Sequence, residues 1–69
     1  MPKYRIRTVS QMTGLSPALI RAWEARYRLV VPERTAAGYR LYSDEDVSLL
    51  SGAQRLVQRG IAPMQVAQL

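Results

Sequence analysis

The apolar residues of this chain follow a helical period that is broken twice at glycine and once by a stretch without such a period. Residues 3–7 (Lys-Tyr-Arg-Ile-Arg) alternate polar with apolar, which predicts a short extended arm or edge strand. Thr8 and Gln11 then fit a capping box, with the Thr8 hydroxyl accepting the Gln11 amide N–H and the Gln11 side chain reaching back. A first helix is expected from about Val9 to Thr13, ended by a left-handed Gly14. Ser16 restarts the chain as an N-cap with Pro17 at the first helical position, and Leu15 and Ile20 are spaced as a hydrophobic staple. The second helix is expected over residues 17–27. Its Leu19, Ile20, Trp23 and Tyr27 share one face, which should bury against the first and third helices. Two helices about a turn of this length make a helix-turn-helix, although ordinary helical hairpins look similar.

Residues 29–42 lose the helical period. Pro32 blocks a continued helix, Thr35-Ala36-Ala37-Gly38 suits a hairpin tip, and Tyr39-Arg40-Leu41-Tyr42 alternates like a strand. A two-stranded wing is expected. Ser43 caps a third helix whose first turn, Asp44-Glu45-Asp46, suits the helix dipole. Leu49, Leu50, Ala53, Leu56 and Val57 fall in an arc of about 120° on that helix and form its expected buried side. Arg55 and Arg59 lie near its end, and Gly60 stops it. Ile61-Ala62-Pro63 begins a last helix, with Ile61 and Val66 as a second staple but no side-chain cap from Ala62. The fold class is therefore mainly α: a winged helix-turn-helix with four helices and a small β-hairpin.

Composition narrows the function. Sixty-nine residues make one domain near the lower limit for folding without staples. There is no cysteine and no histidine, so disulfides and thiolate metal sites are excluded, and a zinc site would need carboxylates alone. Asp44-Glu45-Asp46 is explained as a helix start rather than a metal or acid–base group. No nucleophile–base set and no glycine-rich phosphate loop is present, so the chain is not read as an enzyme. No apolar run is long enough for a membrane span and no signal-peptide pattern is seen, which predicts a cytoplasmic, nucleoid-associated protein. The end at Leu69, inside an expected helix, reads as the edge of a fragment.

Charge is polarised. Residues 1–40 hold eight of the ten Lys and Arg residues against Glu24 and Glu33, a balance of +6, and residues 41–69 carry −1. A basic half beside a near-neutral half suggests a polyanion-binding face. On helix two, Arg21 points away from the apolar side between the small Ala18 and Ala25, where it can reach a guanine's O6 and N7. The bland alternative is a solvated arginine. Ser16 and Ala18 at the helix start join the candidate set. Arg26 and Arg28 either favour the dipole or grip phosphate, and Trp23 is a core or boundary residue whose indole N–H can reach a phosphate. On the wing, alternation puts Tyr39 and Leu41 on one face and Arg40 and Tyr42 on the other. Arg34, Tyr39, Arg40 and Tyr42 are candidates for backbone and minor-groove contact, against packed tyrosines and solvated arginines.

Thr13-Gly14-Leu15-Ser16, Ile20-Arg21-Ala22-Trp23-Glu24, Pro32-Glu33-Arg34-Thr35 and Gly38-Tyr39-Arg40-Leu41-Tyr42-Ser43 with Asp46-Val47 resemble the MerR-family DNA-binding domain over nearly the whole chain. The Trp-Glu-x-Arg-Tyr and Arg-Thr-x-x-Gly-x-Arg-Leu-Tyr-Ser runs are most similar to the light-responsive repressors typified by CarA and CarH. The resemblance implies helix two in the major groove, palindromic operators near promoters, and a bacterial regulator that represses. It matches Arg21, Trp23 and Arg26 to recognition-helix positions and Arg34, Tyr39, Arg40 and Tyr42 to the wing. It also implies a cobalamin-type effector domain and homodimerisation beyond this fragment, which has no cofactor of its own and would be monomeric. Two other readings fit the basic face: a protein-interaction module that binds an acidic antirepressor mimicking DNA, or a phage excisionase-like architectural winged helix that bends DNA. Three positions depart from the family pattern. Arg28 stands where the subgroup has glycine, which implies positive φ at a non-glycine residue; Ala22 replaces an aromatic; Ala62 replaces a capping Ser or Thr.

Overall fold

The computed structural model describes residues 3–68. In chain order it has α1 (Ile6–Thr13), α2 (Pro17–Tyr27), β1 (Glu33–Arg34), β2 (Arg40–Leu41), α3 (Asp44–Gln58) and α4 (Pro63–Ala67). The strands pair antiparallel, Glu33 with Leu41 and Arg34 with Arg40. Residue 69, the expected fragment edge, lies outside the described residues.

The start of α1 corrects the sequence reading. The helix begins at Ile6, with Arg5 as an N-cap that makes no side-chain capping bond, so Thr8 and Gln11 lie inside it and form no capping box. The cause is distant in sequence: Tyr4 is held in an antiparallel bridge with Tyr42, and Ile6 packs on the core directly after it. Only Lys3 to Arg5 remain of the expected arm.

Gly14 ends α1 at φ 79° and donates its N–H to Ser10. The turn is stitched further by Thr13, whose hydroxyl donates to the Val9 carbonyl at 2.8 Å and accepts the Leu15 N–H at 3.2 Å. The Ser16 hydroxyl accepts the Leu19 N–H at 3.1 Å, which opens α2 as expected. Ser43 and Asp46 form a reciprocal capping box at the start of α3. At α4 the Ala62 N–H donates to Gln65 Oε1 at 3.3 Å, a half-box in which alanine returns nothing.

The core comprises Val9, Leu15, Ile20, Trp23, Val30, Tyr42, Leu50, Ala53 and Val66. Of the other residues expected to be buried, Tyr27, Leu56 and Val57 are partly buried and packed against this core, whereas Leu19 is 39% and Leu49 52% exposed. α3 lies against α1 and α4, and α2 against the same two helices. The buried arc of α3 is therefore centred on Leu50 and Ala53, with Val47 in place of Leu49. α2 meets α1 and α4, and its Trp23 and Tyr27 line a small cavity together with Ala53 and Val57 of α3, while Leu19 stays at the rim.

Candidate nucleic-acid interface

α2 presents Ala18, Arg21, Ala25 and Arg26 to solvent, with Ile20 and Trp23 on the buried side. Ser16 is exposed, but its hydroxyl is engaged in the cap. Arg28 ends the helix in the left-handed region at φ 50°, ψ 38°, as its place in a glycine position implies. Trp23, at 4% exposure, sits in the core; the structure assigns it to packing.

The wing carries its side chains on two faces, as alternation requires. Tyr39 is on the outer face and 55% exposed. Arg40 and Tyr42 turn inward toward α2, and both meet the same carboxylate. Arg40 Nε donates to Glu24 Oε2 at 2.8 Å and the Tyr42 hydroxyl donates to the same oxygen at 3.3 Å. Tyr42 is fully buried, which corrects the expectation that it meets DNA: it holds the wing to the helix instead. Arg34 is exposed, and its guanidinium donates to the Gly38 carbonyl at 3.0 Å, which stiffens the hairpin tip.

Electrostatics report the same junction. Burial, then the negative charge and hydrogen bond of Glu24, push the Tyr42 phenol up to about 12, while Arg40 and Arg21 pull it back. Arg21 is thus near enough to act on a wing residue. α2 and the wing thus meet at the largely shielded Glu24, with Arg21 close to Tyr42 and Arg34 opposite Arg40 across the hairpin. Sequence reasoning does not single out Glu24. Its signal is nonetheless present, since it is the one acid among residues 1–32. Val30 is an unforeseen core residue; its aperiodic neighbourhood hides it.

The profile of the MerR HTH family regulatory protein matches residues 4–69. The chain belongs to the MerR helix-turn-helix family. This MerR domain is 46% identical over 66 residues to the HTH-type transcriptional repressor CarH of Myxococcus xanthus, covering 96% of this chain and 22% of that protein. It is 46% identical over 55 residues to the repressor CarA of the same organism, covering 78% and 19%. Against the transcriptional regulator MlrA of Escherichia coli K12 it is 33% identical over 69 residues, covering 100% and 28%. It shares its fold with HiNmlR, a MerR family regulator lacking the sensor domain and solved bound to promoter DNA, at TM-score 0.86 and 22% identity, covering 97% and 51%. The MerR domain thus spans 19–28% of these curated relatives' length, and they are transcription regulators rather than enzymes. Among its described residues no helix is long and apolar enough to cross a membrane.

Proposed function

We propose that residues 1–69 are the sequence-specific double-stranded DNA-binding domain of a cytoplasmic bacterial transcription regulator that represses. In this reading α2 enters the major groove and the wing lies along the backbone and minor groove. The observation that carries it is the Glu24 clamp, which joins α2 to the wing and so holds Arg21 of the helix and Arg40 of the hairpin on one unit. A duplex offers base edges beside phosphates to such a surface. Arg21 is the base reader, donating two bonds to a guanine, a contact that contributes about 1–3 kcal/mol of discrimination. Its exposed position between Ala18 and Ala25 lets the helix backbone approach the groove. Arg26, Arg34 and Tyr39 meet phosphate and fix the register, and Arg40 adds its remaining N–H groups from the clamp. Ser16 and Ala18 line the approach at the helix start. Occupying a promoter site then excludes polymerase.

The repressor role rests on likeness to CarH and CarA, as do a cobalamin-type effector domain and homodimerisation in the whole protein. Selection of bound duplexes from a random pool tests the reading. The wild type should recover a defined motif, and Arg21→Ala should relax it at one or two positions. Recovery of no motif defeats sequence-specific binding by this domain, and an unchanged motif removes Arg21 as the reader.

A further inference from the structure

Residues 3–5 lie outside the interface described above, yet the fold fastens them to the wing. The Tyr4 N–H donates to the Tyr42 carbonyl and the Tyr42 N–H to the Tyr4 carbonyl, both at 2.8 Å. This bridge occupies the edge of the β2 strand that β1 leaves open. Alternation along the bridged segment turns Tyr4 inward, where its hydroxyl donates to Asp44 at 2.7 Å, and turns Lys3 and Arg5 outward.

The two outward cations are used differently. Lys3 Nζ meets Glu33 Oε1 at 3.1 Å across the wing, and its charge is neutralised there. Arg5 lies over the Tyr39 ring with its guanidinium carbon 4.0 Å from the centroid. The ion pairs among the described residues are Lys3–Glu33 and Arg40–Glu24, so no carboxylate is set on Arg5. Its backbone is fixed from both sides, by the neighbouring bridge and by its carbonyl, which accepts the Val9 N–H at 3.1 Å to open α1. Stacking engages a guanidinium through its face and leaves the N–H groups at its edge to other partners. A residue with a fixed backbone, a supported planar head and an uncompensated charge on an exposed flank has the makings of an anion contact. The flank faces away from α2, so a wing lying along a duplex would bring it to sugar–phosphate and not to base edges.

We propose that Arg5, held on Tyr39, is a phosphate contact of the duplex interface. The inference rests on the DNA-binding reading above. A phosphate contact steepens the fall of log K with log salt by about 0.9 and carries no sequence preference. Affinity of the whole chain for a labelled duplex of mixed sequence, measured across a salt series, therefore tests it. Arg5→Ala should make the slope shallower by about 0.9 and weaken low-salt binding several-fold on every sequence, while Arg5→Lys should keep most of the slope.

Should Arg5→Ala disturb folding, the Arg5 Nε–Hε resonance of the wild type gives a second reading, and it should shift when the duplex saturates the protein. A steep wild-type slope that Arg5→Ala leaves unchanged, or an unmoved Arg5 resonance at saturation, overturns the role of Arg5 alone. A wild type that binds no duplex overturns the DNA-binding reading itself.

Discussion

At the scale of the residue, Arg28 holds the one non-glycine positive φ among the described residues, 50°. The left-handed region crowds Cβ against the following carbonyl at about 1–2 kcal/mol for an L-residue, and glycine escapes that cost. Glycine gives back part of the gain through the freedom of the unfolded chain, and the loss of a cation near the helix end removes a little more. Arg28 is exposed, so packing contributes little. Arg28→Gly should thus raise stability by about 0.5 kcal/mol, and Arg28→Val, β-branched at the same φ, should lower it by about 1 kcal/mol. Urea midpoints that do not rank glycine above arginine above valine would show that strain at this cap is not the controlling effect.

Elements are coupled here through one acid. Glu24 on α2 accepts from Arg40 on β2 and from Tyr42 just beyond it, with the Glu24 and Arg40 side chains largely shielded. Glu24→Ala would leave a shielded guanidinium and a buried phenol without their acceptor, at about 1–3 kcal/mol. Glu24→Gln keeps an acceptor oxygen and should lose less. The wing itself is only two residues per strand, so its order depends on this tie and on the Tyr4 bridge. Amide exchange at residues 33–41 should accelerate in Glu24→Ala before global unfolding does. Equal exchange in both proteins would mean that the wing stands without the clamp.

For the whole molecule, Tyr42 is one of the four largest fully buried side chains in a small core, and its hydroxyl lies at the junction of α2 and the wing. Its phenol is raised to about 12 in the folded chain from an unfolded value near 10, so folding holds the proton more tightly. The stability tied to that proton is complete below pH 10 and is lost as pH rises from 10 through 12. Two units correspond to roughly 2–3 kcal/mol, a sizeable part of the 5–15 kcal/mol typical of a native protein. Urea midpoints followed from neutral pH to about 12 should fall for the wild type above pH 10 and stay flatter for Tyr42→Phe. Parallel curves would assign alkaline loss to other groups. The same scale shows why the basic half matters: the +6 of residues 1–40 lies on the N-terminal segment, α1, α2 with its cap and the wing, while residues 41–69 supply all of α3 and α4 and carry −1.

The chain alone determined its punctuation. Ser16-Pro17, Ser43 with its acids, Gly14, Gly60 and Pro32 act within a turn of themselves, so their effect is written in their neighbours, and α2 and the wing fall where those signals put them. The alternation of Tyr39 to Tyr42, and hence Arg40 sharing a face with Tyr42, was legible for the same reason. Tertiary structure decided what depends on partners far along the chain. α1 starts at Ile6 because Tyr4 pairs with Tyr42; Leu19 and Leu49 stay at the surface because α1 and α4 cover the adjacent arcs; and Arg40 is held because Glu24, sixteen residues earlier, comes to meet it. A local pattern fixes which residues share a face, but only the packed neighbours settle which part of that face is covered.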